Sequence, residues 1–116
     1  MPESNLVIEE TLLDGGVTLL TLSGAVDGQA FEQLDAAVHE LMANGACKMV
    51  VDLQQLKYLS SAGIGVFMNA MTVLRGKQGN LVLLNPTENV REVFDSLHLT
   101  KLFLIADSLE KALSFF

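Results

Sequence analysis

Three short apolar runs constrain this chain more than any other feature. KMVVDL (48–53), NLVLLN (80–85) and KLFLIA (101–106) are the continuously hydrophobic kind of strand that is covered on both faces. Segments with helical spacing stand before and between them. The first opens at Asp27, carries Phe31, Leu34, Val38, Leu41 and Met42 on one face, and closes at Asn44-Gly45, where glycine supplies a left-handed cap. The second places Ile64, Phe67, Met68, Met71 and Leu74 on one side and Val66, Ala70 and Val73 on the other, and ends in the turn residues Arg75 to Gly79. The third starts at Asn85-Pro86-Thr87-Glu88, with a capping side chain, a proline in the first turn and an early acid, and buries Val90, Val93, Phe94 and Leu97. After the last run, Asp107 and Glu110 resemble a capping box ahead of an amphipathic helix bearing Leu109, Ala112, Leu113 and Phe116.

Two further strands precede all of this. NLVIEETLL (5–13) and VTLLTLSG (17–24) are joined by Asp14-Gly15-Gly16, which suits a tight antiparallel hairpin. The order β-β-α-β-α-β-α-β-α predicts an α/β domain: an N-terminal antiparallel hairpin, then parallel strands joined by right-handed helical crossovers. About four helices shield a small mixed sheet. With 116 residues and no linker, repeat or low-complexity tract, residues 1–116 are expected to form one domain.

Charge and composition exclude several functions. A net charge of −7 repels phosphate backbones and anionic lipids, so neither nucleic acid nor membrane is an expected partner. No apolar run approaches the roughly 18 residues that span a bilayer. The acidic start MPESNLVIEE is not a signal peptide. The single cysteine, Cys47, allows no internal disulfide and reads as a plain buried thiol, which fits a cytoplasmic protein.

Enzyme chemistry finds little support. LSSAGIG lacks the glycine two positions before either serine that a nucleophile elbow needs. His39 and His98 stand alone and read as surface or structural. No cluster of His, Cys and Asp has metal-ligand spacing. SAGIG is neither GxGxxG nor a P-loop, so no nucleotide fingerprint is present. No enzyme activity, cofactor or metal is expected.

The stretch KYLSSAGIGVF (57–67) is the unusual one. It sets two hydroxyls and two glycines where a buried strand passes into a helix. Gly63 and Gly65 either let a partner backbone approach closely or let the helix pack close to the sheet. Val66 and Ala70 are read as packing under a neighbouring helix, the alternative being a docking patch. Asp27 reads equally as a helix cap or as a functional acid, and Asp52, at the expected end of the third strand, as structural.

VVDLQQLKYLSSAGIGVF resembles the signature of the STAS-domain anti-sigma-factor antagonists. That pattern has a buried strand ending in an acid or polar residue, then an apolar or aromatic pair, then Asp-Ser-Ser/Thr/Ala-Gly-Leu-Gly at a helix start. Tyr58 and Leu59 match the pair, and Ser61-Ala62-Gly63-Ile64-Gly65 match the core. LSGAVD resembles a second marker and NPTENVREVFDSLHLTKLF the third-helix segment, so the resemblance spans nearly the whole chain.

The resemblance implies a STAS fold and a partner-switching phosphoprotein. The unphosphorylated antagonist would bind an anti-sigma factor that is also a serine kinase, releasing a sigma factor. Phosphorylation at Ser61 would end that binding, and a PP2C-type phosphatase would restore it. Asp27, Ser60, Ser61, Ala62, Gly63, Ile64 and Gly65 would meet the partner. Ser60 stands where the family usually has aspartate, which makes it a competing hydroxyl. The alternative is a STAS module that is not phosphorylated, such as a lipid-transport subunit or a stressosome-like scaffold.

Overall fold

The computed structural model describes residues 5–116; part of the acidic start read above as no signal peptide, residues 1–4, lies outside the described residues. The elements are β1 (Val7–Leu13), a 3-10 turn (Asp14–Gly16), β2 (Val17–Val26), α1 (Ala30–Ala43), β3 (Lys48–Leu59), α2 (Ser61–Gly76), β4 (Asn80–Leu84), α3 (Glu88–Ser96), β5 (Leu104–Ala106) and α4 (Leu109–Leu113). They form one five-stranded sheet in the order β1-β2-β3-β4-β5. β1 and β2 are antiparallel, and the remaining pairs are parallel. The predicted α/β architecture is the observed one.

The hairpin turn works because Gly15 and Gly16 both take positive φ, 81° and 76°, which lets Leu13 pair directly with Val17. Each later crossover steps the chain one strand further in the same direction, so a uniform hand puts α1, α2 and α3 on one face. There Leu20, Leu22, Met49, Val51, Leu81 and Leu83 meet Leu34, Val38, Ile64, Phe67, Val90 and Phe94 in the main core. α4 lies on the other face, where Ala112, Leu113 and Phe116 cover Val50, Val82, Leu84 and Ala106.

Several local expectations need correction. β3 does not end at Leu53; it runs on to Leu59 because long β2 pairs with it as far as Val26↔Leu59. The polar residues Gln54, Gln55, Lys57 and Tyr58 hide this extension from a hydrophobic pattern. Asp52 is therefore inside the strand. It sits where the register with β2 shifts between Thr21 and Ser23, and its Oδ1 accepts the Gln54 N–H at 3.0 Å. The cap of α3 is Thr87, whose Oγ1 accepts the Val90 N–H at 3.4 Å, not Asn85. Ser108, not Asp107, caps α4 by accepting the Lys111 N–H at 3.1 Å. Met68 and Leu97, expected on inner faces, are exposed.

The helix ends follow sequence more closely. Gly45 (φ 99°) closes α1 as expected, with the Ala46 N–H donating to the Leu41 carbonyl at 3.0 Å. At the end of α2 the left-handed residue is Gln78 (φ 64°). Gly79 is required for a different reason: a Cβ there would stand 1.7 Å from the carbonyl oxygen of Cys47.

Candidate functional site

The unusual stretch occupies the turn from β3 into α2. Ser60 ends the extended segment and is the helix N-cap, with φ −74° and ψ 163°. Its Oγ accepts the Gly63 N–H at 3.2 Å, its N–H donates to the Val26 carbonyl at 2.8 Å, and its own carbonyl accepts the Ile64 N–H at 3.0 Å. Ser60 is thus a capping residue held on both sides. Ser61 is the first residue of α2 and is exposed. Its hydroxyl has no hydrogen bond among the described residues.

The remaining predicted residues divide by burial. Ala62 and Gly65 are exposed, and nothing lies within 4 Å of the place a Cβ on Gly65 would take. Gly63 and Ile64 are buried. A Cβ on Gly63 would stand 2.6 Å from Leu59 Cδ1 and 2.8 Å from Val26 Cγ1. Gly63 therefore serves the close packing of α2 on the strand ends, the second of the two roles considered for it. Val66 and Ala70 are buried in the main core, as read from the sequence.

Asp27 lies at the adjacent strand end. Its Oδ1 accepts the N–H groups of Ala30 at 2.8 Å and Gln29 at 3.0 Å. Those two bonds hold its carboxyl below the usual carboxylate range. The side chain is exposed, so it caps the entry to α1 while remaining in reach of solvent. Because the Ser60 N–H bonds to the carbonyl of Val26, Asp27's neighbour, the starts of α1 and α2 are fixed side by side.

From Ser61 onward the outward face of α2 is Ser61, Ala62, Gly65, Met68, Asn69 and Thr72. None carries a charge, and the helix has no charged residue before Arg75. On a chain of net charge −7 this is a neutral strip beginning at the free hydroxyl. Thr87 fastens the region from below: its Oγ1 donates to the Leu56 carbonyl at 2.9 Å, tying α3 to the extension of β3. Sequence reasoning missed both this tie and the capping role of Ser60. A serine three residues before a helical N–H is a signal for the second; nothing local signals the first.

The STAS-domain family model matches residues 10–112. The chain belongs to the STAS family. This STAS domain is 37% identical over 101 residues to BtrV of Bordetella bronchiseptica, a candidate anti-sigma factor antagonist, with 87% of each chain covered. It superposes on the anti-sigma factor antagonist SpoIIAA in its unphosphorylated form with a TM-score of 0.79 and 26% identity, covering 93% of this chain and 94% of that one. The phosphorylated form of Bacillus SpoIIAA gives a TM-score of 0.71 at 25% identity, covering 93% and 97%.

Other predicted features are placed as follows. His39 is exposed, with Nδ1 3.2 Å from Asp35 Oδ1. His98 closes α3 with φ 59°. Cys47 is half-buried. Among the described residues there is no group of three or more His, Cys, Asp and Glu that could hold a metal ion, and no helix is long and apolar enough to cross a membrane.

Proposed function

We propose that this STAS domain is an anti-sigma-factor antagonist switched by phosphorylation of Ser61. The unphosphorylated form binds an anti-sigma factor that is also a serine kinase and so releases a sigma factor. The kinase transfers the γ-phosphoryl group of ATP to Ser61 Oγ, leaving ADP, and binding is lost. A PP2C-type phosphatase removes the phosphate and restores it. The protein acts by binding, in the cytoplasm, and is a kinase's substrate rather than a catalyst.

One observation carries this reading. Of two adjacent serines, Ser60 has its Oγ engaged as the cap of α2, while Ser61 presents an unbonded, exposed hydroxyl. A kinase needs the second arrangement. The partner-contact group is then Asp27, Ser60, Ser61, Ala62 and Gly65 at the surface, with Gly63 and Ile64 supporting it from inside. SpoIIAA, solved in both phosphorylation states, supports the same reading.

The physics suits a switch without refolding. A phosphate on the first helical residue sits at the favourable end of the α2 dipole, so the domain tolerates it. It adds about −1.5 to −2 charges to a neutral contact strip. If that removes about 2–3 kcal/mol of binding, affinity falls about 30- to 150-fold.

The test is incubation with an anti-sigma factor kinase from the same genome and ATP, followed by site-resolved mass spectrometry. Phosphate on Ser61 is expected. Phosphate on Ser60 instead contradicts the assignment, and none on either serine favours a STAS module that is not phosphorylated.

A further inference from the structure

The connections of the sheet leave one crevice at its carboxyl end. β4 leads into α3, which packs Val90 and Phe94 on the α1–α2 face. β5 leads into α4, which packs Ala112 on the opposite face. Neighbouring parallel strands whose outgoing connections turn to opposite faces part at their carboxyl ends, and open α/β sheets bind ligands in the crevice so formed.

Here the crevice is a cavity of about 250 Å³ lined by Asn85, Arg91, Ala106, Asp107 and Lys111, among others. Its two strand ends are tied by the Asn85 N–H, which donates to the Ala106 carbonyl at 2.8 Å. Asn85 takes φ 49°, a left-handed backbone that asparagine adopts readily, and so turns the chain from β4 toward α3. Arg91 reaches the cavity from α3 and Lys111 from α4. Among the described residues the side chains of Arg91, Asp107 and Lys111 have neither a hydrogen bond nor an ion pair. The whole chain has only seven Lys and Arg against fourteen Asp and Glu. Two of those cations converge on one cavity and remain unpaired beside an acid.

We propose that this crevice binds a small phosphate monoester bearing hydroxyl groups. The planar fork of Arg91 takes two phosphate oxygens, and Lys111 adds a point charge. Together they match the roughly −1.5 to −2 charge of a phosphate monoester. A carboxylate can only accept, so Asp107 takes a ligand hydroxyl, and that bond offsets for the ester the repulsion it exerts on any phosphate. The volume lies just below the range of drug-sized ligand pockets, roughly 300–1,000 Å³, which suits a sugar phosphate and not a dinucleotide. The site uses none of the residues around Ser61 and stands independently of partner switching.

The test is a chemical-shift titration of the full chain with ribose 5-phosphate, with inorganic phosphate and ribose as separate arms. Ribose 5-phosphate should move the amides of Asn85, Asp107 and their neighbours, and bind at least about tenfold tighter than either control. Arg91→Ala with Lys111→Ala should weaken it at least about tenfold. Should that double variant melt lower than the parent, Arg91→Lys, which keeps the charge and loses the fork, carries the same test. Asp107→Asn should narrow the gap between ribose 5-phosphate and inorganic phosphate. No movement at about 10 mM ribose 5-phosphate, equal affinity for all three compounds, or undiminished binding in the folded cation variants overturns the proposal.

Discussion

The Ser60 N–H donates to the Val26 carbonyl at 2.8 Å. This one bond joins the end of β2 to the start of α2, and so places the Asp27 cap of α1 next to the exposed Ser61. Val26 is also the wall that Gly63 packs against. The two strand ends thus form a platform from which both helices start, with the interior glycine below and the free hydroxyl above.

Gly63 and Gly65 should respond oppositely to alanine. A Cβ at 63 meets stiff Val26 at 2.8 Å, so Gly63→Ala should cost about 1–3 kcal/mol. A Cβ at 65 meets nothing, so Gly65→Ala should stabilise the exposed helix by up to about 1 kcal/mol while weakening partner binding. Urea unfolding of the two variants checks the first statement, and calorimetric titration with the anti-sigma factor checks the second.

Ser60 should behave as a cap. Ser60→Ala should lose about 1 kcal/mol of stability. Ser60→Asp keeps an acceptor for the Gly63 N–H and adds a charge favourable to the helix dipole, so its melting temperature should equal or exceed that of the parent. A Ser60→Ala variant as stable as the parent would remove the capping role.

Asp27 should make stability depend on acid pH. Its folded pKa is lowered from 3.8 by the Ala30 and Gln29 N–H bonds. A depressed carboxyl contributes stability that is fully present above the unfolded value and is lost as pH falls through the folded one. Unfolding curves of the parent and Asp27→Asn should therefore differ most above pH 3.8 and converge below it. A difference independent of pH would mean that the carboxylate charge does not act through these bonds.

Adjacent residues at the end of α2 should show opposite effects. Gln78 holds φ 64°, so Gln78→Gly should relieve strain and stabilise by about 0.5–1 kcal/mol. Gly79→Ala would push a Cβ to 1.7 Å from the Cys47 carbonyl oxygen, a backbone clash that side-chain movement cannot relieve, and should cost more than about 3 kcal/mol. Thermal unfolding of the pair is sufficient.

How much of this was legible in sequence depended on whether the cause was local. The hairpin at Gly15-Gly16 and the close of α1 at Gly45 are set by backbone conformations that glycine supplies, and both were readable. KMVVDL and NLVLLN were readable because burial on both faces leaves a continuous pattern, whereas of KLFLIA only Leu104–Ala106 is strand, at the sheet edge with Leu104 and Ile105 half-buried, and Lys101–Phe103 form the turn before it. The extension of β3 past Leu53 was not, because its outward residues are polar and its pairing depends on a distant strand. The site split the same way. The exposed place of Ser61 at a helix start followed from the motif, whereas the burial of Gly63 and Ile64 required knowing that Val26 and Leu59 meet beneath them. The Thr87–Leu56 bond spans 31 positions, and no short-range pattern encodes it.

The central claim is that charge at Ser61 controls partner affinity without unfolding the domain. The direct measurement is calorimetric titration of the anti-sigma factor with the unphosphorylated protein and with the same protein phosphorylated at Ser61, each with its melting temperature. The predicted result is a loss of about 30- to 150-fold in affinity on phosphorylation, with the melting temperature held. Equal affinity of the two forms would contradict the claim, as would a loss of affinity accompanied by a collapse of the fold.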